Sequence, residues 1–254
     1  PNTDGLLVHT NMDLGAQKKL YNAANSEVSF QSDQMQAGAA VTDPHNGQVI
    51  AMLGGRHSNV IYGLNRAVQE NRSSGSTAKP LMDYGPAIEY LQWPTFKTVS
   101  DTKFYWPGTN KVLHDIDNKY KGNMTMRSAL VESRNVPAIR TLQEVGIKRA
   151  TTFLGGLGIS QKEPYTLQNG IALYISPLQM SAAYAAFANG GTYYKPYYIS
   201  SITTMDGKTK TYSPHGKRAM SKATAYMMTD MLKGVFTNSA STGTSAYLSG
   251  VHQA

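Results

Sequence analysis

The sequence predicts a protein of the α+β class, in which strands and helices are grouped and do not alternate. Two hairpin patterns lie at 39–53 and 192–213, and runs with helical periodicity cluster between and after them. A parallel βαβ fold would need strands and helices that alternate along the chain, and this sequence does not have that pattern. With 254 residues, of which 41% are hydrophobic, the chain is long enough to bury a sizeable core.

Short apolar runs bounded by turn residues predict the strands. A strand is expected at 6–9, ahead of the first helix. The first hairpin combines a strand at 39–42, turn residues at 43–47 and a return strand at 48–53. The second hairpin is expected to turn at 206–207, where Asp is followed by Gly.

Helical patterns account for most of the remaining chain. Asp13 is the predicted N-cap of the first helix, and a second helix is expected from Ser76 to about Leu91. Pro80 is compatible with this second helix because it falls in the first turn. Residues 92–123 contain aromatics, Pro, Gly and Asp, which predict a long surface loop. The other predicted helices span 124–132, 136–145, 147–154, 177–188 and about 219–236.

The charge and the residue counts exclude several classes of function. The net charge of +8 comes from scattered lysines without a zinc finger, an RNA-binding aromatic signature or a heptad array, so we expect no nucleic-acid partner. The absence of cysteine excludes disulfides, thiolate metal sites and cysteine nucleophiles. The six histidines show no metal-ligand spacing, so we expect neither a metal nor a cofactor.

The chain also has no apolar run near the ~20 residues that span a bilayer, and no signal peptide opens it. The first residues, Pro1 to Gly5, resemble the start of an excised segment. We therefore expect any membrane anchor or export signal of a longer parent to lie upstream.

A Ser-x-x-Lys motif, Ser76 to Lys79, is the first candidate for chemistry. Residues three apart on a helix share a face, so the Lys79 amine is expected within hydrogen-bond reach of Ser76 Oγ. A serine hydroxyl needs an adjacent base to become nucleophilic, and a lysine can act as that base when burial lowers its pKa. Alone, the motif is equally compatible with a capping Ser and an exposed Lys.

A Ser-x-Asn motif, Ser133-Arg134-Asn135, lies at the predicted junction of two helices. The Ser133 hydroxyl is a candidate proton relay between Lys79 and a leaving group. The Asn135 amide is a candidate for binding a substrate peptide bond. For an isolated tripeptide, plain helix capping would be the simpler interpretation.

Together the two motifs resemble those of penicillin-binding proteins and class A β-lactamases. Further stretches resemble class A penicillin-binding proteins and cover nearly the whole chain. They are Val8 to Asp13 with Gln17, Asp43-Pro44 to Gly54-Gly55, Asn65-Arg66-Ala67 with Arg72, Gly75 to Pro80, Ser176 to Met180, and Ala183 to Gly191 with Pro196.

This resemblance implies one antiparallel sheet flanked by helices, of the serine β-lactamase/transpeptidase type. It implies that Ser76 is acylated by the D-Ala-D-Ala end of a peptidoglycan stem peptide, with Lys79 as base, and that a neighbouring stem's amine then completes a cross-link. β-Lactam antibiotics would acylate the same serine. Residues 1–30 would connect an upstream glycosyltransferase domain to the transpeptidase domain at 31–254, on the extracytoplasmic face of the bacterial membrane.

The sequence departs from the family at its third motif, a Lys-Thr-Gly strand that binds the substrate carboxylate. No Lys-Thr-Gly is present, and Thr242-Gly243 with Ala246 resembles the segment just before that strand. We therefore expect a fold that is incomplete at its C-terminus. The remaining strands would belong to a second chain or to a region outside this sequence, and a sheet edge would be left unpaired.

Three other functions are considered. Glu163-Pro164, with Leu167 and Asn169 beyond it, resembles the loop that deacylates class A β-lactamases, although the spacing is longer and Arg134 stands where those enzymes have Asp. A penicillin-binding sensor or scaffold without turnover is compatible with the missing third motif. A basic module that binds wall polymer or nucleic acid would rest on charge alone.

Overall fold

The computed structural model describes residues 5–58, 60–251 and 253, and it divides into two compact units. The first unit comprises Pro1–Arg72 and Ile175–Arg218, and the second comprises Ser73–Tyr174 and Ala219–Ala254. The start at Pro1 to Asp4 lies outside the described residues. None of the helices in the described ranges has the length and apolar character that a bilayer crossing requires.

Strands and helices are labelled in chain order. The strands are β1 (Leu7–Thr10), β2 (Ala39–Thr42), β3 (Val49–Leu53), β4 (Arg72–Ser73), β5 (Thr98–Asp101), β6 (Phe104–Tyr105), β7 (Val112–Leu113), β8 (Gly122–Thr125), β9 (Tyr174–Ile175), β10 (Thr192–Tyr193), β11 (Ile199–Thr203), β12 (Thr209–Thr211) and β13 (Lys217–Arg218). The α-helices are α1 (Leu14–Asn22), α2 (Gly85–Leu91), α3 (Met126–Val131), α4 (Asn135–Val145), α5 (Ile147–Gly156), α6 (Pro177–Ala188) and α7 (Lys222–Thr237). Short 3-10 helices cover Gly75–Ala78, Leu167–Gly170 and Thr244–Ala246, and π-helical turns cover Ala23–Glu27 and Pro80–Tyr84.

The first unit is built on antiparallel strands. β11 pairs with β1 on one side and with β12 on the other, while β2 pairs with β3 and β10 with β13. On β3, Val49, Ala51 and Leu53 are buried and alternate with half-buried residues, because successive side chains of a strand point to opposite faces. Helix α6 packs on β2, and the Ser176 side chain caps its N-terminus.

The second unit is a helical core with two small antiparallel pairs, β5 with β8 and β6 with β7. All five residues of the π-helical turn Pro80–Tyr84 are buried, and helices α3, α4 and α5 contact this turn. The segment that carries the Ser-x-x-Lys motif therefore leads directly into the core. This burial restrains the position of Lys79, the last residue before the turn.

The α+β class is confirmed, and so are most of the predicted elements. Strand β1, the β2–β3 hairpin and helices α1, α3, α4, α5, α6 and α7 lie within three residues of their predicted bounds. Asp13 is the N-cap of α1, where its Oδ1 accepts the Ala16 N–H at 2.7 Å. The largest sheet among the described residues has three strands. The predicted boundary near residue 30 stays a prediction.

Three predicted elements differ in the structure. The single helix expected from Ser76 to about Leu91 is instead a 3-10 turn, a π-helical turn and helix α2 in succession. The long surface loop expected at 92–123 is wrong, since this stretch holds β5, β6, β7 and the start of β8. In the hairpin expected at 192–213, β11 and β12 pair around the 206–207 turn, but β10 pairs with β13 instead. In both places the strands are only two to five residues long, so their apolar alternation is too brief to read.

Candidate active site

Ser76 lies on a short 3-10 turn at the surface of the second unit. The turn spans Gly75–Ala78, and Ser76 is exposed. Ser74 fixes the approach to it, because Ser74 N donates to the Leu173 carbonyl at 2.7 Å and Ser74 Oγ accepts the Leu173 N–H at 3.0 Å. Gly75 has φ +53°, a left-handed conformation that glycine adopts without strain. The chain can therefore bend sharply just before the serine.

Lys79 follows one 3-10 turn later, and its backbone N–H donates to the Ser76 carbonyl. Side chains three residues apart eclipse each other on a 3-10 helix, so this turn puts Ser76 and Lys79 on one side. The Lys79 side chain is only 1% exposed. Its amine donates to the Ser133 carbonyl at 2.6 Å, to Ser133 Oγ at 3.2 Å and to Asn135 Oδ1 at 2.8 Å.

Burial sets the protonation of this amine. Removal from water lowers the pKa of Lys79 from its ordinary 10.5 to about 8, with a smaller lowering from Arg134, against the raising effects of Asp83 and Asp115. At neutral pH about a tenth of the amines are then neutral, compared with less than one in a thousand for a free lysine. The burial and the lowered pKa of Lys79 are the properties that its predicted role as a base requires.

Asp83 is a second buried ionisable group on the same segment, four residues after Lys79. Neither of its carboxyl oxygens has a hydrogen-bond partner among the described residues. Burial raises the pKa of the Asp83 carboxyl well above its ordinary range, while the charge of Lys79 lowers it. Gly170 approaches so closely that an added Cβ would lie 2.7 Å from Asp83 Oδ1. The segment therefore carries a buried carboxyl group whose charged form is disfavoured by burial.

Ser133 joins helices α3 and α4 in an unusual backbone conformation. Its φ of +55° lies in the left-handed region, which costs a residue with a side chain about 1–2 kcal/mol. This bend directs both the carbonyl and the hydroxyl of Ser133 to the Lys79 amine. Strain of this kind clusters at functional sites, where surrounding contacts hold it in place.

Asn135 begins helix α4 and is bound at three atoms. Its Oδ1 accepts from Lys79, its Nδ2 donates to the His114 carbonyl at 3.0 Å, and its backbone N–H donates to an Asp115 carboxylate oxygen. These contacts fix which end of the amide is oxygen. One N–H and one oxygen lone pair remain for a substrate.

Lys79 therefore contacts two of the other three predicted residues directly, Ser133 and Asn135. No hydrogen bond joins Ser76 Oγ to the Lys79 amine within the part of the chain that the structure describes, so their direct contact stays a prediction. Sequence reasoning missed Arg134 and its three aspartate partners, described below, although an arginine inside the motif and a nearby Asp115-x-Asp117 pair were visible signals. Glu163 is exposed, and it is not among the hydrogen-bond partners described for Lys79, Ser133 or Asn135.

Comparisons with known proteins agree with this fold. The family described as penicillin binding protein transpeptidase domain matches residues 37–253. Penicillin-binding protein 1A of Streptococcus pneumoniae (strain ATCC BAA-255 / R6) is 46% identical over 265 residues, which cover 99% of this chain and 37% of that protein. The chain thus spans less than half the length of this relative.

Solved structures show the same fold. The penicillin-binding protein PonA1 from Mycobacterium tuberculosis matches with a TM-score of 0.84 at 21% identity, over 97% of this chain and 67% of that one. The same protein in complex with penicillin V matches with a TM-score of 0.80, at 21% identity, over 98% and 68%. The D,D-transpeptidase domain of a peptidoglycan glycosyltransferase from Eggerthella lenta matches with a TM-score of 0.78 at 20% identity, over 98% and 70%.

The fold is that of penicillin-binding transpeptidase domains, and the Ser-x-x-Lys and Ser-x-Asn motifs of this chain meet within its second unit. The family match covers most of the residues, and the streptococcal relative covers nearly all of them. The chain belongs to the penicillin-binding protein transpeptidase family, and its predicted resemblance to class A members is confirmed.

Proposed function

We propose that this chain is a peptidoglycan D,D-transpeptidase domain, which cross-links stem peptides through an acyl-enzyme at Ser76 and is inhibited by β-lactams at the same serine. The observation that carries the proposal is the Lys79 amine, buried, held by Ser133 and Asn135, and one 3-10 turn from an exposed serine. Family membership gives the reaction class.

In the proposed acylation, neutral Lys79 accepts the Ser76 hydroxyl proton while Oγ attacks the carbonyl carbon of the penultimate D-Ala. The peptide C–N bond then breaks, and the leaving amine of the terminal D-Ala needs a proton. Ser133 Oγ, 3.2 Å from the Lys79 amine, passes one on by giving up its own proton and taking one from Lys79. Free D-Ala leaves, and Ser76 carries the peptide as an ester.

In the second step of the proposed reaction, deacylation, the proton transfers run in the opposite direction. An amine from a neighbouring stem peptide loses a proton to Lys79 and attacks the ester carbonyl, and the Ser76 oxygen leaves with a proton. The remaining N–H and lone pair of Asn135 bind the substrate amide through this cycle. No residue of this chain is assigned to the substrate carboxylate, because the family's Lys-Thr-Gly strand is not in the sequence.

A β-lactam enters by the same chemistry. Its strained amide is attacked by Ser76 Oγ, but the leaving nitrogen stays tethered to the acyl group and hinders the next nucleophile. The solved relative in complex with penicillin V supports this part of the proposal. We further propose that the chain acts on the extracytoplasmic face of the bacterial membrane, in a parent with an upstream glycosyltransferase domain and membrane anchor.

Fluorescent-penicillin labelling of the full-length protein, followed by mapping of the modified peptide, tests the proposal. We expect one label on the peptide that contains Ser76, and no label after Ser76→Ala. Ser73→Ala is the matched control, since it removes a nearby hydroxyl on the same segment and should label like the wild type. Label that persists in a folded Ser76→Ala variant would refute the assignment.

A further inference from the structure

Arg134 lies between the two motif residues that contact Lys79, yet its side chain is only 3% exposed. A buried guanidinium is costly unless acceptors match its five N–H donors. The role of the middle residue of Ser-x-Asn is not fixed by the motif. Its surroundings therefore indicate what Arg134 does.

Three aspartates supply most of the acceptors for Arg134. Its Nε and Nη2 each lie 2.9 Å from Asp101 Oδ2, and its Nη1 lies 2.9 Å from Asp117 Oδ1. Asp115 Oδ2 lies 3.4 Å from Nη2, which also donates to the Lys119 carbonyl. A planar guanidinium bound on several edges has one orientation, unlike a lysine ammonium.

Residues next to these acceptors also bind Asn135, which follows Arg134 in the Ser-x-Asn motif. Asp115 contacts the Arg134 guanidinium with one oxygen and accepts the Asn135 backbone N–H with the other. The His114 carbonyl accepts from the Asn135 side chain at 3.0 Å. The segment 114–119 is thus tied both to Arg134 and to Asn135.

The strained backbone of Ser133 also depends on its neighbours. Ser133 N donates to the Leu130 carbonyl at 3.0 Å, and Arg134 N donates to the Ala129 carbonyl at 2.9 Å. These bonds fix the chain from the α3 side. On the α4 side, the next residue, Arg134, is held through its side-chain contacts with Asp101 and Asp117.

We propose that Arg134 is a positioning residue of this site, whose carboxylate-bound guanidinium sets Ser133 and Asn135 at bonding distance from the Lys79 amine. The inference rests on the proposed function, because it assigns a role in the acylation of Ser76. It goes beyond that function by giving the variable residue of the motif, and the 114–119 segment, a part in the chemistry.

The cluster also acts on Lys79 through charge, and this gives the test its direction. The positive charge of Arg134 lowers the pKa of Lys79, whereas Asp115 raises it. Loss of Arg134's charge should therefore raise the pH at which Lys79 becomes a base, and loss of Asp115's charge should lower it. The other ionisable groups around this pair are Asp83, Asp101, Asp117 and the phenol of Tyr84.

The experiment measures the penicillin acylation rate of the full-length protein from about pH 6 to about pH 9.5, a range that brackets the Lys79 pKa. The variants are Arg134→Met, Arg134→Lys and Asp115→Asn, and each is checked for folding by thermal melting. Arg127→Met is the matched control, because it removes another arginine–aspartate pair, 2.7 Å to Asp230, that does not contact the motif.

We expect Arg134→Met to acylate about 100-fold more slowly at neutral pH, as for a misplacement near 1 Å, with its pH midpoint moved upward. Asp115→Asn should move the midpoint downward. Arg134→Lys keeps the charge without the planar fork, so it should keep the midpoint and acylate about tenfold more slowly. Arg127→Met should melt earlier but keep both rate and midpoint.

Rates and midpoints like the wild type in Arg134→Met and Asp115→Asn would overturn the inference. Midpoints that move in the same direction in both variants would also overturn it. Removing a positive and a negative charge should shift the Lys79 pKa in opposite directions, whereas a general loss of structure would not. If Arg134→Met does not fold, Arg134→Lys and Asp115→Asn decide by the same criteria. A wild-type protein that is never acylated at Ser76 would refute the proposed function itself, whereas acylation unaffected by the cluster refutes only this inference.

Discussion

The Lys79 amine makes three hydrogen bonds, which is the number that an ammonium donates. A neutral amine donates two and accepts one, so deprotonation requires one partner to change its role. Backbone and amide oxygens cannot donate, but the Ser133 hydroxyl can. We infer that the 3.2 Å contact to Ser133 Oγ reverses when Lys79 becomes neutral. This reversal is what the proposed proton relay requires.

Acylation should therefore depend on pH through Lys79. The pKa of this amine is lowered to about 8, so the share of neutral amine reaches one half near that pH and levels off about one pH unit above it. We expect the acylation rate constant to follow this curve, and Lys79→Ala to slow acylation by about 100- to 10,000-fold, as for other lost general bases. Stopped-flow or timed labelling with penicillin measures both.

Lys148→Ala is the control for this experiment, because Lys148 is an exposed lysine of the same unit. It should keep the rate and the pH curve of the wild type. An acylation rate that does not vary with pH between about 6 and 9, in a protein that still labels Ser76, would exclude Lys79 as the base.

The effect of Asp83 on Lys79 depends on whether its carboxyl is ionised. Its buried carboxyl favours the neutral form, and a neutral acid beside Lys79 does not stabilise the ammonium. The charge that this carboxyl carries when ionised raises the pKa of Lys79. Because burial disfavours the charged carboxylate, it weakens the effect by which Asp83 raises the pKa of Lys79.

At the scale of secondary structure, the segment after Ser76 combines three kinds of helix. The sequence predicted one helix from Ser76 to Leu91, and the structure has a 3-10 turn, a π-helical turn and then α2. Local pattern predicts that the segment is helical, but the winding is set by packing in the core. The spacing of Ser76 and Lys79 still placed them on one side, because positions three apart agree in the α- and 3-10 forms.

Long-range contacts explain what could not be predicted. Ser76, Lys79, Ser133 and Asn135 are recognisable because each motif is local in sequence. Asp101, however, is 33 residues before Arg134, and the packing of helices α3 and α4 on β5 brings the two together. The aspartates stood in a stretch that composition assigned to loop, so their role as partners of the motif was not visible.

Packing at the start of α2 gives a prediction about stability. An added Cβ at Gly85 would lie 2.5 Å from the Pro80 carbonyl and 2.9 Å from Phe153 Cζ. Neither neighbour can move without disturbing the buried turn, so Gly85→Ala should lower the free energy of unfolding by about 1–3 kcal/mol. Chemical denaturation at neutral pH measures this change.

Gly155→Ala supplies the matched control for Gly85→Ala. Gly155 lies in helix α5, is exposed, and has open space where a Cβ would be added. Alanine should therefore stabilise the helix there by about 0.5–1 kcal/mol. A destabilisation of similar size in both variants would contradict the packing argument.

At the scale of the whole chain, each of the four proposed site residues belongs to the second unit. The first unit holds most of the longer strands. In the basic stretch at 208–222, Lys208 forms an ion pair with Asp206 at 2.7 Å. A net charge of +8 without a coherent basic surface motif agrees with solvated charge. The proposed acylation therefore uses residues of the second unit.

The carboxylates around Lys79 distinguish a cross-linking transpeptidase from a β-lactamase, which hydrolyses β-lactams. A β-lactamase needs a carboxylate that activates water against the acyl-enzyme. Among the described residues, the carboxylates nearest Lys79 by electrostatic effect are Asp83, which is fully buried, and Asp115, which is bound by Arg134 and Asn135. The family that matches this chain is a transpeptidase family, which favours cross-linking over hydrolysis.

We therefore expect the full-length protein to open one equivalent of nitrocefin in a fast phase and then to turn over very slowly. Colour development in a stopped-flow trace separates the two phases, and mass analysis should find the adduct on Ser76. Glu163→Ala should leave both phases unchanged, because Glu163 is exposed and apart from the contacts that hold Lys79. Rapid steady-state turnover that disappears in Glu163→Ala would make the chain a β-lactamase, since only an activated water could then be clearing the acyl group.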